Sequence, residues 1–208
     1  MKRLSALFLL GALASPAAAQ YCDSSNSCFF PPGPCAYLGT GFVTFSNGWQ
    51  LTYLDFENSL DCDPLPPLGG STNQADHSTF VLKLVNGGST AQASGNALMT
   101  MHLFGVPPSV NPREVDLELL ALDLTGSFPA GMMLRESPTL ASPGHMQQTD
   151  LGSGTYHVTS FFDVFFELSL DGGQSWSPAS SAAHTVLSPA APLPARPATW
   201  GSVKAAYR

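Results

Sequence analysis

Apolar and polar residues alternate along most of the chain from Phe80 onward, and a period of two puts one set of side chains on each face of a β-strand. Phe80, Leu82 and Leu84 alternate with Thr79, Val81 and Lys83 until Asn86-Gly87-Gly88 breaks the run with a turn signal. Met99, Met101 and Leu103 share one face of the next run, opposite Thr100 and His102, and Gly105 with Pro107-Pro108 ends it. Val115, Leu117 and Leu119 oppose Asp116 and Glu118, after which the phase slips to Leu120, Leu122 and Leu124, as a β-bulge near Leu119 and Leu120 would cause. Glu and Leu also suit a short amphipathic helix here, but Pro112 and Gly126 leave little room for one, and a strand is expected. Tyr156 and Val158 alternate with His157 and Thr159; Phe162, Val164, Phe166, Leu168 and Leu170 then oppose Asp163, Glu167 and Ser169, which reads as one central strand. Strands divided by Gly and Pro turns predict an all-β protein, a β-sandwich of jelly-roll or immunoglobulin-like type.

The ends of the chain follow other rules. Lys2 and Arg3, an apolar stretch from Leu4 to Leu13, and Ala17-Ala18-Ala19 before Gln20 have the three-part order of a secretory signal peptide over 1–19. The apolar stretch falls short of the ~20 residues of a spanning helix, and no membrane span is expected in the mature protein. The sandwich is expected over 20–187, opening on a Cys-rich segment, followed by a Pro-rich linker at 188–198 and a tail at 199–208.

Composition narrows the partners. Without Lys2 and Arg3, six basic residues face 15 acidic ones, a formal charge of −9, and nucleic acid or an anionic membrane would require a basic footprint instead. Cys22, Cys28, Cys35 and Cys62 all lie in the first third of the chain. An even count behind an export signal predicts two disulfides stapling the N-terminal segment, with three pairings open. A zinc site is the rival reading, but no Cys-x-x-Cys pair is present and His77 is the only nearby imidazole. No metal or other cofactor is expected.

The most specific local signal is Ser169-Leu170-Asp171-Gly172-Gly173-Gln174-Ser175-Trp176, which resembles the Asp-box hairpin. The resemblance implies a structural role: Ser169, Asp171, Gly173 and Trp176 form the turn, with the Asp carboxylate accepting backbone N–H bonds and Trp packing beneath. Sialidase propellers repeat such boxes blade by blade; one copy in a chain this short does not fit that fold. A wider stretch, Leu134-Arg135-Glu136-Ser137-Pro138-Thr139 through Ser160-Phe161-Phe162-Asp163-Val164-Phe165-Phe166-Glu167-Leu168-Ser169 to Trp176, resembles an uncharacterised family of secreted bacterial β-domain proteins, which implies export and a β-rich fold. The closing Thr199-Trp200-Gly201, Lys204 and Tyr207-Arg208 resemble a terminal tag of such proteins, read as a sorting signal or else as a frayed end.

No catalytic constellation is expected. His77, His102, His145, His157 and His184 are isolated on different runs, and Gly152-Ser153-Gly154 reads as a hairpin tip rather than a nucleophile elbow. Asp116 with Glu118, or Asp163 with Glu167, would project from one strand face; such pairs either serve acid/base work or form a solvated face. Asp61, Asp63 and Asp76 offer oxygen ligands to Ca²⁺ without a recognised loop spacing. Trp49, Tyr53 and Phe165 are the candidates for an exposed glycan platform, against a core role. The reading is a structural or interaction protein outside the cytoplasm, extracellular, surface-bound or periplasmic, whose partner is an unidentified protein or glycan. The alternative is a carbohydrate-binding module or glycan-active enzyme.

Overall fold

The computed structural model describes residues 22–24, 35–58 and 64–189. The expected signal peptide, Cys28, Cys62, Asp61, Asp63 and the tail lie outside them, as does the expected linker beyond Ser188 and Pro189. The strands are β1 (Cys22–Ser24), β2 (Cys35–Thr40), β3 (Val43–Thr44), β4 (Gln50–Asn58), β5 (Ser71–Asn86), β6 (Ser89–Gly105), β7 (Arg113–Gly126), β8 (Met133–Glu136), β9 (Ser142–Gly152), β10 (Thr155–Val164), β11 (Phe166–Ser169), β12 (Ser177–Pro178) and β13 (Ala183–Pro189).

The all-β expectation holds, but the sandwich does not. β2, β4, β5, β6, β7, β9, β10 and β13 each pair antiparallel with the next, and β13 returns to β2, which closes an eight-stranded up-and-down barrel. Alternation reports only that one face of each strand is buried, and sandwich and barrel share that property. Closure depends on His184–Pro189 meeting Cys35–Thr40 from the far end of the chain, a pairing with no local signal. β5 and β6, at 16 and 17 residues, far exceed the ~5–6 of an ordinary strand and wrap around the core.

Within the barrel the alternation holds. Phe80, Leu82 and Leu84 point inward from β5, Met99, Met101 and Leu103 from β6, and all are buried. The phase slip in β7 is a bulge: Thr100 pairs with Ala121 and Met101 with Leu119, which leaves Leu120 as the extra residue. Among the described residues the interior holds an apolar void of about 20 Å³, lined by Tyr37, Phe56, Met99, Leu119, Phe162 and Val164 among others, room for about one water. Outward positions carry Asp116, Glu118, His145 and Asp163 where a bilayer-spanning barrel carries an apolar band. No helix among the described residues is long and apolar enough to cross a membrane.

Two features seal the barrel. Cys22 and Cys35 form a disulfide with a Cα–Cα distance of 5.9 Å. It ties β1, which pairs with β10 beside the end of β13, to β2 at the seam where first and last barrel strands meet. A loop of this size contributes about 3 kcal/mol by restricting the unfolded chain. Residues 64–70 cross one end: Leu68 bridges Gly105, Gly69 N–H donates to the Gly105 carbonyl at 2.6 Å, and Arg113 donates to the Pro66 carbonyl.

The expected central strand over 162–170 is two. β10 ends at Val164, and after Phe165 the chain leaves the barrel as β11, joining β8 and β12 in a separate three-stranded sheet. Phe162, Val164, Phe166 and Leu168 are all buried, in two different surroundings, but the alternation ends at the break: Glu167 and Ser169 are buried as well, and Leu170, expected inward, is 44% exposed.

Candidate functional site

The small sheet brings together the two halves of the stretch that the sequence singles out. β8 and β11 pair with Glu136 opposite Phe166, Arg135 opposite Glu167 and Met133 opposite Ser169. Arg135 Nε and Nη2 both donate to Glu167 Oε2, at 2.9 and 2.6 Å, and the guanidinium lies 3.9 Å from the centre of the Trp176 ring. The Glu167 side chain is only 12% exposed against 39% for Arg135, so the pair forms with its anion in the protein and its cation toward solvent.

Glu136 lies beside this pair without a cation of its own. Ser142 Oγ donates to Glu136 Oε1 at 3.0 Å and accepts the Phe165 N–H at 3.1 Å, so the break between β10 and β11 also fixes the carboxyl. Glu136 is 8% exposed. Burial, opposed by the Ser142 hydrogen bond and reinforced by the nearby charges of Glu118 and Glu167, raises its pKa to about 7. With Glu118, Leu120, Ser137, Thr139 and Leu140 it lines an open groove of about 360 Å³. The groove therefore gains negative charge as pH rises through neutrality.

The loop after β11 explains why the sheet ends there. Asp171 Oδ1 accepts the Ser169 hydroxyl at 2.8 Å and the Ser175 N–H at 2.9 Å, and Oδ2 accepts the Ser175 hydroxyl at 2.6 Å. Ser169 Oγ in turn accepts the Gly173 N–H at 2.9 Å, and Trp176 Nε1 donates to the Gly173 carbonyl at 3.1 Å. Gly173 has φ +86°, where an L side chain is strained. The Ser175 hydroxyl and amide, then the Ser169 hydroxyl, hold the Asp171 carboxyl down to about 2. A lowered carboxylate pKa stabilises the fold above the ordinary value of 3.8, and the contribution is lost as pH falls toward 2. Asp171→Asn is expected to remove it, lowering the melting temperature at pH 7 and leaving it nearly unchanged at pH 2; equal losses at both pH values would contradict this account.

The other sequence candidates are scattered. Trp49 is partly buried against the core, Tyr53 is 45% exposed with its hydroxyl 3.0 Å from Asp55 Oδ2, and Phe165 is partly buried between β10 and β11. Asp76 points into the barrel and is 4% exposed, near the buried Tyr37 phenol. Burial first, then Asp76, pushes the phenol well above its usual value. Asp116 and Glu118 share the outer face of β7, whereas Asp163 and Glu167, expected on one strand face, belong to different sheets. No group of three or more His, Cys, Asp or Glu side chains suited to a metal ion occurs among the described residues.

Sequence reasoning missed two groupings. Arg135, Glu136 and Glu167 stood inside the quoted stretch, but the pairing of β8 with β11, which makes them neighbours, spans 30 residues. The histidines stand on separate runs in the sequence, yet His145 and His184 flank the Phe161 ring on the outside of the barrel, with centroid distances of 6.4 and 5.5 Å. The signal available for this was the outward parity of His145, Phe161 and His184 on their strands. Comparison with known proteins finds no matching family model, no matching curated protein and no matching solved structure.

Proposed function

We propose that the chain is an exported, non-catalytic interaction module that holds a cationic segment of a partner in the groove beside β8. The observation that carries this reading is the contrast between the filled barrel, with a void of about 20 Å³, and the open groove of about 360 Å³ lined by Glu118 and Glu136. A filled barrel has no room for a small-molecule cargo. Arg135 is committed to Glu167, so a lysine or arginine of a partner would supply the charge that Glu118 and Glu136 lack. The export signal, the disulfide and the resemblance to secreted β-domain proteins support the same compartment.

Calorimetric titration with an oligo-lysine peptide tests it. Binding is expected to strengthen from pH 6 to pH 8 as Glu136 ionises, and Glu118→Gln with Glu136→Gln should weaken it about tenfold, or ~1.4 kcal/mol. Glu57→Gln, which removes an exposed charge from β4, serves as the control. Equal weakening by the control would reduce the effect to net charge and end the proposal.

One observation favours a second reading, a glycan-active enzyme: a carboxyl titrating near neutrality beside a second carboxylate suits a general acid. Release of reducing ends from neutral polysaccharides, abolished by Glu136→Gln, would establish it; its absence leaves the binding reading.

A further inference from the structure

We propose that the outer face of the barrel centred on Phe161 is a binding site for a neutral oligosaccharide. The site rests on neither the groove nor its charge. Asp116 on β7, His145 on β9 and Phe161 on β10 stand in one register row across three adjacent strands. His184 on β13 lies opposite Asp163 and beside Phe161. All of these positions point outward, away from a core that is already filled.

The arrangement is pre-organised for a ligand with apolar faces and a polar rim. His145 Nδ1 lies 2.9 Å from Asp116 Oδ1, and His184 Nδ1 lies 2.7 Å from Asp163 Oδ1. A carboxylate only accepts, so each Nδ1 carries its proton and each imidazole is held in orientation. The two rings tilt by 36° and 37° from the plane of Phe161, forming a shallow aromatic strip flanked by hydrogen-bonding groups. The groups remain accessible: side-chain exposures are 35% and 61% for His145 and Asp116, and 46% and 39% for His184 and Asp163. Phe104, 38% exposed, opposes Asp116 on β6 and extends the row. It stands three strand spacings from Phe161, roughly 14 Å, a span that suits several sugar units rather than one.

The chemistry selects the ligand. A pyranose stacks its C–H face on an aromatic ring and turns its hydroxyls toward carboxylates and imidazoles at the edge. The carboxylates of Asp116 and Asp163, with Glu114 hydrogen-bonded to Gln147 in the neighbouring row, repel acidic glycans. No lysine or arginine stands in the row to reverse that. A protein hot spot, by contrast, is a desolvated apolar centre, and here Phe161 is bordered by charged groups.

The test is titration of the full chain with neutral hexasaccharides of β-1,4-glucose, β-1,3-glucose, β-1,4-xylose and N-acetylglucosamine. At least one is expected to bind with a Kd on the order of 0.1–1 mM. Phe161→Ala should weaken that binding by at least about tenfold, while Trp49→Ala and Tyr53→Ala leave it unchanged. Imidazole proton resonances of His145 and His184 in the unmodified protein should shift along the titration, a readout that needs no variant to fold. Oligo-lysine should not compete, which separates this site from the groove. Absence of binding by all four sugars overturns the proposal. So does binding that persists in folded Phe161→Ala with unmoved histidine resonances, or binding lost only on Tyr53→Ala.

Discussion

Phe80→Ala is expected to destabilise the protein by about 3–5 kcal/mol, the range for emptying a buried aromatic site. Phe80 is 1% exposed, and its ring meets Phe56 at 6.5 Å and Phe128 at 5.6 Å between centroids. Opposite it in register is Gly95, where a Cβ would collide with the Thr125 carbonyl and Gly126 Cα of β7. The cavity therefore cannot be filled from the β6 side, because the backbones already touch there. Against a total stability of roughly 5–15 kcal/mol for a domain, such a loss is a large share. Urea denaturation should show a lower midpoint at an unchanged slope. Val81→Ala, the neighbouring residue with 48% exposure, should change stability by no more than about 0.5 kcal/mol. Similar effects from the two substitutions would mean that the inward parity of β5 is misassigned.

The second large effect is expected from Arg135→Met, which keeps an unbranched side chain near Trp176 and removes the charge. Glu167 is 9% exposed and Glu136 8%; without the guanidinium they form a pair of like charges with no cation. Breaking a buried ion pair from one side costs about 3–5 kcal/mol, and the partial exposure of Arg135 brings the expected loss to about 2–3 kcal/mol at pH 8. The sign of the pH dependence follows from Glu136. Its raised pKa means that the folded protein carries a proton there up to about pH 7, so one of the two charges disappears on acidification. The gap in melting temperature between wild type and variant should narrow from pH 8 to pH 5.5, and adding Glu167→Gln should restore most of the loss. A gap independent of pH, with no restoration, would show that Arg135 acts through packing alone.

Much of the strand layout is legible in the sequence because each strand buries one face. Phe80-Leu82-Leu84 and Met99-Met101-Leu103 identify their inward sets, Gly87-Gly88 marks the turn between β5 and β6, and the slip at Leu120 marks the bulge. Phe162 to Leu170 misleads because the apolar spacing in the sequence runs on through Phe165, where the chain passes from the barrel to the small sheet; there Glu167 and Ser169 are buried as well and Leu170 is exposed. The groove was not legible, since Glu118, Glu136 and Glu167 come from β7, β8 and β11 and no local pattern brings them together. The row around Phe161 was half legible, through parity without neighbours.

What the sequence determined by itself was local and periodic: strands, turns, inward faces, the bulge, and an acidic composition. Tertiary structure decided closure, the split of the last long run and both candidate surfaces. The physical reason is that side-chain period reports burial, which any two-layered or closed β-architecture satisfies. Which strand meets which is settled by long-range register, here by β13 returning to β2 and β11 leaving the barrel for β8.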